Sequence, residues 1–187
     1  MTQPDGQNDP ARPISTGQED RTVAGPVPRD DDRDALRPGE MRGPAPGGGD
    51  GGLSFIGWIE TPWATRGACP RQGDPEAGPV CRVHVAEAYR PALLGLEDFA
   101  RIELLYWLHG ARRDLLQQSP LGDGAVRGTF ALRSPLRPNP IGTSRVALVG
   151  ITAGVLEVRG LDCLDGTPLV DIKPDRCAYT PLAAPRP

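Results

Sequence analysis

Arg145-Val146-Ala147-Leu148-Val149-Gly150-Ile151, Thr152-Ala153-Gly154, Val155-Leu156-Glu157-Val158-Arg159 is the stretch that decides the fold. Two runs rich in β-branched and aliphatic residues flank a short turn containing glycine, which is the pattern of a β-hairpin. The flanking chain repeats the theme. On the C-terminal side, Pro168 to Ile172 reads as one more short strand. On the N-terminal side, residues 127–132 and the apolar, aromatic run 101–109 read as strands, with the polar stretch 111–123 between them as a connection. Farther back, Cys81-Arg82-Val83-His84-Val85 alternates with period two, and Phe55 to Glu60 is β-branched and aromatic up to the stop at Thr61-Pro62. Residues 89–96, with Pro91 in the first turn, predict a short helix. Short strands with regularly spaced turn signals predict a mainly β fold, a small closed barrel with one or two short helices.

The first 52 residues contrast with this. They hold 10 Gly and 8 Pro, no aromatic residue, and large apolar residues without period. Such a segment buries too little apolar surface to offset backbone ordering, which costs about 1–2 kcal/mol per residue. Residues 1–52 therefore read as a disordered tail, 53–181 as the folded domain, and 182–187 as a short terminal tail. The first segment formally contains G-x-G-x-x-G at 47–52, but no strand precedes it, and it reads as linker. Its charge is six basic against ten acidic residues, so the rest of the chain carries fifteen against fourteen. The acidic balance of the whole chain thus does not exclude RNA, which a local basic patch suffices to bind.

Cys69, Cys81, Cys163 and Cys177 form no C-x-x-C pair, no His/Asp/Cys cluster has metal spacing, and no metal is expected. The cysteines read as small buried hydrophobes. Neither a leader pattern nor a long apolar run occurs, so no membrane partner is expected and the cytoplasm is the default compartment. There is no Walker loop and no Ser/His/Asp arrangement. Trp58 and Trp107 read as core residues, Trp63 as a more open one, and His84 as solvent-facing on the polar side of its strand.

Three loop-like stretches carry residues that folding alone does not require. The first holds Pro70-Arg71-Gln72. The second runs Arg133-Ser134-Pro135-Leu136-Arg137-Pro138-Asn139-Pro140-Ile141-Gly142, where three prolines stiffen the backbone and Gly142 permits a sharp turn into the next strand. It is either a pre-organised ligand scaffold or a surface crossover with solvated arginines. The third, Gly160 to Pro168 and on to Lys173-Pro174, places Asp162 and Asp165 around a turn. These carboxylates either accept ligand hydrogen bonds or serve as turn-forming Asx residues. His109 ends its apolar strand, where functional loops often begin.

These motifs resemble the TsaA/TrmO-like family of S-adenosylmethionine-dependent tRNA methyltransferases. The resemblance runs through Phe55-Ile56-Gly57, Pro70-Arg71-Gln72, Gly95-Leu96-Glu97-Asp98-Phe99, His109, Gly128 to Pro135, Arg137 to Ser144, Leu161 to Pro168 and Asp171-Ile172-Lys173-Pro174. It implies a β-barrel enzyme, dimeric, that methylates N6 of the threonylcarbamoyl-adenosine following the anticodon. It further implies a cofactor pocket drawn from Pro70, Arg71, Gln72, His109, Gly110, Arg133, Thr143, Asp162, Cys163, Leu164 and Asp165. Asp165 is the candidate base or acceptor near the target nitrogen. Arg137, Asn139 and Lys173 are the candidate RNA contacts, and tRNA is the expected partner. Two departures stand out: Asp175 replaces the tyrosine of the family's K-P-Y, and the extra C-terminal domain of longer members is not expected after the barrel. The alternative reading is a non-catalytic barrel that binds the cofactor, a nucleotide or RNA.

Overall fold

A computed structural model describes residues 36–43 and 52–175. In chain order its strands are β1 (Met41–Arg42), β2 (Gly57–Glu60), β3 (Val80–Val85), β4 (Arg101–Trp107), β5 (Leu115–Gln118), β6 (Arg127–Gly128), β7 (Ile141–Thr152), β8 (Val155–Arg159) and β9 (Thr167–Pro174). Six of them close into a barrel in the order β2-β3-β8-β7-β4-β9, with β9 pairing back onto β2. All of the barrel pairings are antiparallel. The closed barrel is the architecture the sequence predicts.

Closure follows from alternation. On β4, Ile102, Leu104 and Tyr106 face inward, while Arg101, Glu103, Leu105 and Trp107 face out. Ile59, Val83, Val146, Leu156, Val158 and Leu169 supply the other walls, each without solvent exposure. Each such side chain contributes about 1.5–3 kcal/mol on burial, so this interior dominates the fold's stability. The hairpin turn is as expected: Ala153 and Gly154 both have positive φ, 51° and 84°, the type I′ geometry that matches strand twist. The β7–β8 register shifts between Leu148 and Gly150, a bulge that helps a twelve-residue strand curve around the barrel.

Several local expectations change. The helix expected at 89–96 is two 3-10 turns, Glu87–Leu93 and Leu96–Asp98, separated by Gly95 at φ 84°. The strand expected at 127–132 stops after Gly128 and becomes a 3-10 turn, Thr129–Ala131. The cause is Thr129, whose Oγ1 donates to the Leu115 carbonyl at 2.9 Å and accepts from Gln118 Nε2 at 3.0 Å, drawing the segment inward. The polar connection at 111–123 contains β5, which forms a small sheet in the order β1-β5-β6. β7 begins at Ile141, four residues before the expected start. Gly142 accordingly lies within a strand instead of turning the chain, opposite Tyr106, and a Cβ there would stand 2.1 Å from the Tyr106 ring.

The first 52 residues also need correction where they are described. Met41 and Arg42 pair with Gln117 and Leu115, and Arg37 and Glu40 bond to Ser119. Composition missed this because the anchors are polar side chains and main-chain groups, not apolar burial. Residues 1–35, 44–51 and 182–187 and Cys177 lie outside the described residues.

Trp58 and Trp107 are half-buried, not core. Trp58 stacks on His84 at a centroid distance of 3.9 Å, and Arg113 sits 5.2 Å over Trp107. His84 is not simply solvated: its Nε2 lies 2.8 Å from Glu60 Oε2, and this contact, with Arg82 nearby, holds the Glu60 carboxyl below its ordinary range. Trp63 packs against the core from outside. Cys81 and Cys163 are buried, and burial pushes the Cys81 thiol up to about 11 and Cys163 upward as well. Both behave as inert hydrophobes.

Candidate functional site

The site is built where the interior of the barrel becomes polar. Tyr106, at the end of β4's inward row, donates from its Oη to Asp162 Oδ1 at 2.8 Å and lies 2.8 Å from Ser144 Oγ. Ser144 is also 3.2 Å from Asp162 Oδ1. Tyr106 has one hydroxyl hydrogen, and with that given to the carboxylate, Ser144 directs its own to Tyr106 or to Asp162. Burial and the neighbouring carboxylate push the Tyr106 hydroxyl far above its ordinary value, so it stays a donor. Asp162, at the edge of the cluster and half-buried, makes no ion pair among the described residues.

Two loops meet at this cluster. The 160–167 loop is pinned to the start of the 61–79 loop. Thr61 Oγ1 donates to the Cys163 carbonyl at 2.9 Å, the Thr61 N–H donates to Asp165 Oδ1 at 3.1 Å, and the Asp165 N–H donates to the Trp63 carbonyl at 2.9 Å. The 61–79 loop returns against the same segment, since a Cβ on Gly73 would lie 2.0 Å from the Gly160 carbonyl oxygen. Pro70, Arg71 and Gln72 immediately precede that contact, and Arg71 and Gln72 are exposed. Cys69 is close enough to Asp162 for that charge to help hold its thiol above the ordinary value, after burial.

His109 sits two residues past β4. Its Nδ1 and Nε2 are both buried without a hydrogen-bond partner among the described residues. Burial lowers its pKa, while the Trp107 carbonyl acts weakly in the opposite sense without bonding to the ring. A buried polar group left without a partner costs about 1–3 kcal/mol, so a ligand that bonds this imidazole recovers that cost.

The expected site residues divide into two groups. Asp162, Asp165, Cys163, Leu164 and the 70–72 segment come together with Tyr106 and Ser144. Cys163 turns its side chain into the core, and its carbonyl already accepts from Thr61. Arg133 and Thr143 make no hydrogen bond to this cluster among the described residues: Thr143 is on the outer face of β7, with its Oγ1 donating to Glu103 at 2.7 Å, and Arg133 Nη2 donates to the Thr143 carbonyl at 3.4 Å. Strand alternation puts Thr143 and its neighbour Ser144 on opposite faces of the wall. Gly110 adjoins His109 in the turn after β4.

Of the residues expected to contact RNA, Arg137 points back into its own loop, donating to the carbonyls of Leu132 at 2.8 Å and Thr129 at 3.3 Å. It braces the proline-rich loop. Lys173 pairs with Asp171 at 2.6 Å, and Asn139 is exposed. Asp175, where the tyrosine was expected, pairs with Arg145. Tyr106 and Ser144 were not singled out in sequence. The one signal for them was a hydroxyl at the inward position of an otherwise aliphatic row. Among the described residues no helix is long and apolar enough to cross a membrane.

The sequence profile of the tRNA-methyltransferase O N-terminal domain matches residues 58–179. A probable S-adenosyl-L-methionine-binding protein, VirR of Rhizobium radiobacter, is 50% identical over 151 residues, covering 81% of this chain and 86% of that protein. The tRNA (adenine(37)-N6)-methyltransferase of Escherichia coli is 37% identical over 138 residues, 68% of this chain and 57% of that protein. A crystal structure of TrmO superposes with a TM-score of 0.57 at 37% identity, covering 73% of this chain and 62% of that chain. The chain thus spans less than two thirds of the length of each of the last two proteins.

Proposed function

The chain belongs to the tRNA-methyltransferase O N-terminal domain family, and from that premise we propose that it is an S-adenosylmethionine-dependent methyltransferase acting on N6 of (threonylcarbamoyl)adenosine next to the anticodon of tRNA. The observation that carries the reading is the Tyr106–Ser144–Asp162 cluster at the barrel edge, with the 70–72 segment folded against the same loop. Barrel, loop and carboxylate fit the cofactor: among the described residues Asp162 offers an acceptor free of ion pairing to a ribose or a sulfonium, and His109 a buried imidazole lacking a partner.

When bound, S-adenosylmethionine supplies a methyl group activated on a sulfonium. The residues position and shield. Tyr106 and Ser144 fix the Asp162 carboxylate in one orientation, so little reorganisation is needed when a ligand arrives. Thr61 and Trp63 fix Asp165, whose Oδ2 has no protein partner among the described residues and accepts a hydrogen bond, or the proton, from the target nitrogen. The 61–79 loop, packed at Gly73 against the Gly160 carbonyl, keeps water from one side of the reacting centre. The same reading carries a homodimer working in the cytoplasm, with Asn139 near the RNA.

The test is nucleoside mass spectrometry of tRNA incubated with the purified protein and adenosylmethionine. A gain of one methyl on threonylcarbamoyl-adenosine is expected, and absence of any methylated nucleoside defeats the enzymatic reading. A second reading, a barrel that binds the cofactor without turnover, draws on relatives named only as binding proteins. Cofactor binding without methyl transfer to any RNA favours it.

A further inference from the structure

A cleft of about 390 Å³ opens beside β5 of the small sheet and is lined by Arg37, Glu40, Arg66 of the 61–79 loop, Arg112 and Arg133 with apolar and proline neighbours. Arg66 and Arg112 are already engaged, which leaves Arg37 and Arg133 against the one carboxylate of the described lining. Glu40 keeps its charge, its two oxygens accepting the main-chain N–H groups of Arg37 at 3.0 Å and Ser119 at 3.2 Å, and so offsets one of the two. Arg112 grips Asp114 with two bonds, 2.7 and 2.8 Å, and Arg42 reaches the same carboxylate at 3.4 Å. Arg37 and Arg133 differ from Arg112. Among the described residues the side-chain hydrogen bonds of Arg37 run to the Ser119 and Pro120 carbonyls at 3.1 and 3.4 Å, and that of Arg133 to the Thr143 carbonyl at 3.4 Å. Carbonyl oxygens orient a guanidinium but do not cancel its charge. The cleft therefore keeps a positive field with two forks held in place, the arrangement suited to a polyanion.

From this we infer that the cleft is a phosphodiester-binding site for the RNA substrate, and that Arg37 is an RNA-binding residue; the inference rests on the tRNA-methyltransferase reading. An RNA strand presents one phosphate per nucleotide and so offers successive anions to two separated forks. Arg37 is carried by a strap that the barrel holds in place. Gly43 N–H donates to the Asp114 carbonyl at 2.6 Å, β1 pairs with β5, and Gly39 takes φ 81° with no room for a Cβ beside Val126. Arg37 precedes the segment that the family profile matches, residues 58–179. The strap also supplies what the expected RNA contacts do not, since Arg137 is turned inward and Lys173 is neutralised by Asp171.

The experiment uses the full chain and measures tRNA affinity across a salt series together with adenosylmethionine affinity by calorimetry. Arg37→Ala is expected to weaken tRNA binding about tenfold and to reduce the slope of log affinity against log salt by about one, with cofactor affinity unchanged. Arg37→Lys keeps the charge and is expected to retain the slope. Unchanged tRNA affinity and slope in Arg37→Ala overturn the inference. So does a fall in cofactor affinity, which assigns the cleft to the cofactor, or a slope lost equally in Arg37→Lys, which reduces Arg37 to a strap anchor. A wild-type chain that binds adenosylmethionine and methylates tRNA while Arg37→Ala is silent defeats this inference alone. A wild-type chain that binds no tRNA defeats the reading beneath it as well.

Discussion

Tyr106 shows how one polar atom in an apolar row marks a site. Its ring completes the barrel interior, and its hydroxyl fixes Asp162. Tyr106→Phe keeps the ring and removes that donor. Asp162 is half-exposed and regains water, so the expected loss is about 1 kcal/mol in urea denaturation with an unchanged m-value, alongside weaker cofactor binding. His109 gives a pH signature. Burial holds its folded pKa below the ordinary 6.5, so between the two values the unfolded chain binds more protons than the folded one. Stability therefore rises with pH through that window and declines as pH falls below about 6.5. Glu60 and Asp114 have lowered pKa values, and their contribution is lost only as pH falls below 4.5 and 3.8. Melting temperature against pH should show the early limb in the wild type and lose it in His109→Gln, with the later decline intact.

Among the elements, the 61–79 loop ties fold to chemistry. Gly73 lets its backbone touch the Gly160 carbonyl, which keeps Pro70–Gln72 beside the Asp162 loop. In Gly73→Ala the loop must move, since neither backbone yields easily. Methyl transfer should fall by on the order of 10²-fold, and the thermal melt should fall with it because the clash is with main chain. A rate equal to wild type would show that the 70–72 segment does not position the reaction. The strands that form the barrel were legible in sequence because alternation and turn residues are local signals. β5 was not: Arg112, Arg113 and Asp114 precede it, Gln117 and Gln118 end it, and Leu115 is its one fully buried apolar residue. Strand β1 was equally illegible, since Arg37, Glu40 and Arg42 read as tail charge until their partners are seen. Thr143 was placed in the pocket by motif, yet alternation within β7 turns its hydroxyl to Glu103 on the other face.

At the scale of the whole molecule, closure of the barrel makes stability uneven. β4 is flanked on both sides, by β7 and β9, and carries a fully buried row, whereas β1 and β6 are two-residue strands on a small open sheet. Hydrogen exchange should be slowest in β4 and fastest in β1 and β6. Equal rates would mean that the small sheet is as integral to the fold as the barrel. The motifs named the two loops at the barrel edge, but the hydroxyl pair that orients the carboxylate depends on which strands become neighbours, here β4 and β7 through Tyr106 and Ser144. Calorimetric titration of the wild type and of Asp162→Ala with S-adenosylmethionine tests the central claim most directly. The account predicts saturable binding at one site per chain, weakened at least about tenfold in the variant; no binding by the wild type, or equal binding by both, would contradict it.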